Sequence, residues 1–218
     1  MNEQEFDTIE ERDEDFSAPQ DGFLGSRRQY LSVQFHFTYS GTEEWATHFS
    51  VGMATDAQKK PLVAEICEAG SPLNSEYFIN AENLELWING QLGGLCRYRL
   101  SGFGDQSLTI SNSDEPEEDE PSIHLSLLAV FIRPQYRSKG LGSLLSTQLA
   151  EVVASGLLNR VLGAPIISSN IRLTIAADLE SSEGEAFFEN LTEELEIKIN
   201  AISDATQVSI EISVDSGY

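Results

Sequence analysis

The sequence predicts an α+β fold, a central, mixed and mostly antiparallel sheet flanked by helices. Three observations carry that expectation. Leu31, Val33, Phe35 and Phe37 alternate with polar residues, as do Thr47, Phe49, Val51 and Met53, which is the period of half-buried strands. The run "IHLSLLAVFI" at 123–132 is apolar on both faces from Leu127 onward, the pattern of a central strand covered on both sides. A glycine-bearing turn follows it, and then Leu141, Leu145, Leu149, Val152 and Val153 fall on one side of a helix, with Ser143, Ser146, Thr147 and Glu151 on the other.

In chain order, residues 1–22 form an acidic tail and 23–218 a single domain. A strand over 30–39 passes through "SGTEE" to the second alternating stretch, so the two pair as a hairpin with a longer loop. "PLVAEICEAG" suits strand or helix equally, and "NSEYFINAENLELW" offers caps without an apolar stripe, so 55–92 receives no assignment. "GGLCRYRL" and "SLTISN" read as short strands separated by the turn "SGFGDQ". The helix over 141–156 closes at Gly156. "IRLTIAA" is a strand, "SSEGEAFFENLTEEL" a serine-capped helix, and "EIKINAI" with "VSIEISV" a final hairpin. The second half therefore runs β-β-α-β-α-β-β.

Charge excludes some functions. With 36 acidic against 13 basic residues and a net charge of −23, the chain cannot neutralise a phosphate backbone, so nucleic acid is not an expected partner. Fifteen of the acidic side chains lie in 1–21 and in "SDEPEEDEP" at 113–121, both read as solvated segments. The balance favours a cationic partner, or equally serves solubility or a salty cytoplasm. No run approaches the roughly 18–20 apolar residues of a membrane span, and the N-terminus lacks a basic region followed by an apolar stretch. A cytoplasmic protein without membrane association is expected, and a homodimer is among the expected assemblies. Cys67 and Cys96 are far apart and outside metal-ligand spacing, which predicts free core thiols and no metal.

The segment "RPQYRSKGLGSLL" gathers cations and glycines in this acidic chain. A strand, a glycine-rich turn and a helix make an anion site, because the first helical amides lack acceptors and the dipole is positive there. Gly140 and Gly142 remove side chains where a pyrophosphate would approach, and Arg137 and Lys139 supply charge. The order is neither a Walker A loop nor a dinucleotide fingerprint. A plainer reading is that the glycines only shape a tight turn and the basic pair is solvated.

"LSLLAVFIRPQYRSKGLGSLLSTQLAEVV" resembles the coenzyme A-binding segment of the GNAT acetyltransferase superfamily, and "IRLTIAADLESSEGEAFFENL" resembles the family's next strand and helix. The similarity is strongest over 123–191. It implies a GNAT-like acyl-CoA N-acyltransferase fold with a splayed sheet, acetyl-CoA as co-substrate, and N-acetylation of a primary amine on a small cationic molecule or a protein. It also implies that the backbone of Val130, Phe131 and Ile132 pairs with the pantetheine arm. Amides from Arg137 through Ser138, Lys139, Gly140, Leu141 and Gly142 to Ser143 would hold the pyrophosphate. The family's general-acid tyrosine aligns with Phe188, which has no proton to give. The family's asparagine aligns with Ser181, "TEEL" replaces the usual "GF", and paired N-terminal helices are not evident before residue 60.

Acetyl transfer needs a route for the ammonium proton. His124 and Ser126 share a face of the central strand ahead of the cofactor residues, and an imidazole can accept a proton. A solvated histidine fits the same pattern, and Glu183 and Glu185 are rival bases. Arg97, Tyr98 and Arg99 are weaker candidates for an acceptor site. The alternative function is a catalytically weak or inactive GNAT-fold module that binds acyl-CoA or another protein. A third is an acidic protein imitating nucleic acid.

Overall fold

The computed structural model describes residues 34–38, 44–68, 78, 83–102, 122–163, 170–179 and 181–215. The acidic tail, the acidic segment 113–121 and the strand expected at "SLTISN" lie outside these residues. Seven strands form one sheet in sequence order. They are β1 (Gln34–Thr38), β2 (Glu44–Val51), β3 (Leu84–Ile88), β4 (Gln91–Gly102), β5 (Ser122–Ile132), β6 (Asn170–Ala177) and β7 (Ser209–Asp215). Each of β1 to β5 runs antiparallel to its neighbours in that group, and β5, β6 and β7 are mutually parallel. The helices are α1 (Asp56–Glu68), α2 (Leu141–Gly163) and α3 (Ser182–Thr206). The fold is thus α+β with a mixed, mostly antiparallel sheet.

The first expected hairpin is present, with Phe35 opposite Thr47 and Phe37 opposite Trp45. β3 and β4 turn at Asn89-Gly90, both with positive φ (50° and 77°), the two-residue geometry that twists with the strands it joins.

α1 begins with a capping box. Thr55 N–H donates to Gln58 Oε1 at 2.9 Å, and Gln58 N–H reaches Thr55 Oγ1 at 3.4 Å. Its Leu62 and Ile66 bury against Trp87, Leu92, Leu95, Ala129 and Phe131 on one face of the sheet. Beneath it, Glu85 is completely buried and fastens the turn between β2 and α1. One carboxyl oxygen accepts from Ala54 N–H at 2.7 Å; the other accepts from Ser50 Oγ at 2.5 Å and Trp87 Nε1 at 3.2 Å.

α2 and α3 cover the opposite face through Leu145, Leu149, Val153, Phe187, Leu191, Leu195 and Ile199. They lie parallel, since Ser143 meets Asn190 and, two turns on, Glu151 meets Lys198 at 2.6 Å. Three expectations are corrected here. α2 does not close at Gly156 but continues to Gly163, because Leu157 and Val161 extend the buried stripe. "EIKINAI" is not a strand and there is no final hairpin: Leu191, Leu195, Ile199 and Ile202 fall at helical spacing and bury, while Ile197, which alternation would pair with Ile199, is 67% exposed. β7 therefore returns parallel to β6 after a helical crossover. Cys67 is exposed rather than a core thiol, whereas Cys96 is buried and its thiol is pushed to high pKa by desolvation. Leu141–Asn159 is long and apolar enough to span a bilayer by length and composition, because its polar residues are mostly uncharged; half of that stretch is buried inside the fold.

β5 changes character midway. Leu128 has no partner in the β4 register, which passes from Arg97 opposite Ala129 to Tyr98 opposite Leu127. One extra residue exchanges the faces of the strand. Ile123, Leu125 and Leu127 join the α2/α3 core, Ala129 and Phe131 the α1 core, and Val130 and Ile132 pack against the α2/α3 side. This is why both faces read as apolar beyond Leu127.

Candidate functional site

The bulge coincides with an opening in the sheet. β6 pairs with β5 only from Ser122 to Leu127, while β4 follows β5 to Ile132. Past Leu127 the β5 edge that faced β6 has no strand partner among the described residues, and of its backbone groups Ile132 O is taken by Arg137 Nε.

The strand runs into a short 3-10 turn at Pro134–Tyr136. Arg133 secures this point: its N–H donates to Gly93 O at 2.9 Å, and its guanidinium grips Glu65 of α1, with Nε at 2.9 Å from each carboxyl oxygen and Nη2 also in contact. Those hydrogen bonds hold the Glu65 carboxyl below its ordinary pKa and raise that of Arg133.

The predicted anion-binding residues follow. Arg137 is exposed; its Nε donates to Ile132 O at 2.8 Å and its guanidinium lies 5.3 Å from the centre of the Phe131 ring. Ser138 and Gly140 both have positive φ (57° and 75°), on either side of the half-buried Lys139. This left-handed bracket turns the chain sharply into α2. Leu144 N–H donates to Gly140 O at 3.2 Å as the first helical bond, so the amides of Leu141, Gly142 and Ser143 have no intrahelical acceptor. Leu141 anchors the turn in the core, and Gly142 and Ser143 stand at the surface side. A Cβ added to Gly142 would meet only Ile132 Cδ1, at 3.9 Å, so the space beside this amide is open. Three free amides, two cations and an open strand edge ending at Ile132 fit a pyrophosphate joined to an extended arm.

Sequence reasoning missed Asn190. From α3 its Nδ2 donates to Ser146 Oγ in a short contact and to Ser143 O at 3.5 Å, while its Oδ1 accepts from Ser143 Oγ at 3.3 Å. Ser146 Oγ itself donates to Ser143 O at 2.9 Å. Ser146 is fully buried, against the expectation that it belongs to the outer face of α2. Nothing in the spacing of polar residues distinguishes Asn190 from the glutamates around it.

The other candidates scatter. Phe188 is in the α2/α3 core, 4% exposed, and Ser181 caps α3 by accepting from Gly184 N–H at 3.1 Å. His124 is exposed and Ser126 half-buried; both sit on the paired half of β5, opposite Ser101 and Arg99. Ser126 is two residues before the bulge and His124 four, about 7 and 13 Å along a strand. Glu183 and Glu185 are exposed in the first turn of α3. Tyr98 packs against the α2/α3 core, whereas Arg97 is half-buried and Arg99 exposed.

No family model matches this chain, and no curated protein does. Among solved structures it is similar to a ribosomal-protein-alanine N-acetyltransferase from Brucella melitensis biovar Abortus 2308, at 13% identity over 67% of this chain and 90% of that one, with a TM-score of 0.40. AtaTR bound with AcCoA is similar at 14% identity over 66% and 84% of the two chains, TM-score 0.40. An aminoglycoside acetyltransferase from an uncultured soil metagenomic sample, in complex with sisomicin, is similar at 9% identity over 68% and 86%, TM-score 0.35.

Proposed function

We propose that this chain is an acetyl-CoA-dependent N-acetyltransferase of the GNAT type, acting on a primary amine of a small cationic molecule or a protein. One observation carries the reading: the open edge of β5 from Leu128 to Ile132 leads directly into a turn whose glycines and free helical amides suit a pyrophosphate. The segment that resembles the GNAT cofactor motif is this same stretch.

Bound acetyl-CoA would supply the activated acetyl thioester. The chain's own residues then have separable tasks. The amides of Leu141, Gly142 and Ser143, with Arg137 and Lys139, neutralise the pyrophosphate. Along Val130 to Ile132 the edge turned away from β4 aligns the pantetheine arm as an added strand, with Ile132 O already held by Arg137 Nε, and β5 amides near the bulge stabilise negative charge developing on the acyl oxygen. Ser126 and then His124 carry the ammonium proton away from the bulge along the paired half of the strand. The net charge of −23 favours a cationic acceptor.

The placement of Phe188 in the core favours a second reading, a module that binds acyl-CoA without turnover. A thiol-release assay with acetyl-CoA and a panel comprising a polyamine, an aminoglycoside and a lysine-rich peptide separates the two. Release dependent on one amine supports the transferase; binding without release supports the module; no binding of acetyl-CoA rules out both.

A further inference from the structure

The geometry points to Asn190 as a positioning residue for the anion-binding turn, an inference that rests on the cofactor reading above. A helix N-terminus binds an anion only if its free amides converge, and their directions are set by the first turn of α2. Leu141 anchors that turn at one point, but Gly140 and Gly142 have no side chains, and Gly142 has open space beside it. Asn190 supplies the missing constraint from a neighbouring helix. Its Nδ2 donates to Ser143 O and Ser146 Oγ, and Ser146 Oγ donates to the same carbonyl at 2.9 Å, so Ser143 O receives side-chain donors from two directions. The Ser143 carbonyl shares a rigid peptide plane with Leu144 N–H, which makes the first helical bond to Gly140 O, so holding this carbonyl holds the end of the turn from which the Ser143 amide projects.

The other end of the Asn190 amide has a different task. Ser143 Oγ donates to Asn190 Oδ1 at 3.3 Å, a long bond on an exposed hydroxyl. The hydroxyl is thereby held beside the free amides and can turn to donate to an anion oxygen, while the two Nδ2 bonds keep the turn in place. Phe188, two residues earlier, faces the core and takes no part.

Asn190→Leu removes both ends of the amide at similar volume, and Ser146→Ala removes the hydroxyl between the two helices. Hydrogen exchange of the segment 141–149 in the free full-length protein reads the turn directly, and calorimetric titration reads acetyl-CoA and inorganic pyrophosphate. The expected result for Asn190→Leu is faster exchange confined to the first turn of α2, and acetyl-CoA affinity lower by about tenfold, with pyrophosphate weakened in parallel. Ser146→Ala, which leaves Asn190 Nδ2 on Ser143 O, shows a smaller change of the same sign. A merely structural role would speed exchange across α3 and β6 as well. Wild-type exchange in 141–149, or altered exchange with unchanged acetyl-CoA affinity, overturns the inference. If the unaltered protein binds no acetyl-CoA, the cofactor reading fails and the positioning role fails with it, and the exchange data then report only how α2 is held.

Discussion

Replacing Glu85 by leucine removes the acceptor that joins β2, β3 and the start of α1. The carboxyl is completely buried and takes three donors, Ala54 N–H at 2.7 Å, Ser50 Oγ at 2.5 Å and Trp87 Nε1 at 3.2 Å. Trp87 Nε1 retains a bond to Ser50 Oγ at 2.8 Å in the variant, so the indole stays satisfied. Ala54 N–H loses its partner at a buried residue and the Ser50 hydroxyl proton at a half-buried one. The buried donor costs about 1–3 kcal/mol and the half-buried hydroxyl about 1 kcal/mol, together about 2–4 kcal/mol, offset in part by the apolar gain of leucine. Glu85→Gln keeps one carbonyl for Ala54 and lets the serine hydroxyl reverse, so it costs less than half as much. Urea unfolding followed by tryptophan fluorescence gives both values at constant slope. A Glu85→Leu variant within about 0.5 kcal/mol of the original protein would refute the claim that this carboxyl fastens the β2–α1 turn.

Two further outcomes follow from the packing. Ile199→Ala costs about 2–5 kcal/mol, while Ile197→Ala changes stability by less than about 0.5 kcal/mol; equal losses at the two sites in urea unfolding would mean that 196–202 is a strand after all. Arg133 holds the folded pKa of Glu65 below its unfolded value of about 4.3, so the pair stabilises the fold above that pH and the contribution is lost as pH falls through the folded value. The stability gap between the original protein and Glu65→Gln is accordingly widest near neutrality and narrows below about pH 4; a gap that widens on acidification contradicts the ion pair.

β5 and the start of α2 were legible because their signals are local: an apolar run, then glycines, then leucines at helical spacing. The bulge at Leu128 was not, since an extra residue inside a continuous apolar run leaves the pattern unchanged while it exchanges the faces. α1 escaped because Pro61 and a short stripe hide it, although Thr55 and Gln58 form a capping box and Leu62 and Ile66 have helical spacing. Residues 196–202 misled because isoleucines at 197 and 199 mimic a strand; the longer window from Leu191 to Ile202 resolves the period. Gly156 resembles a helix stop, yet a helix tolerates glycine where the core stripe continues beyond it. Asn190 acts across two helices, and such a contact exists only once the fold is known.

Calorimetric titration of the full chain with acetyl-CoA, alongside Gly142→Ala and Gly142→Asp, tests the cofactor reading most directly. The structure has room for a Cβ at position 142, so both variants should fold, while the alanine methyl crowds the pyrophosphate and the aspartate repels it. The account predicts micromolar binding by the original protein, weaker binding by the alanine variant and none by the aspartate variant at equal thermal stability. Equal affinity in all three proteins, or no binding by the original, would contradict it.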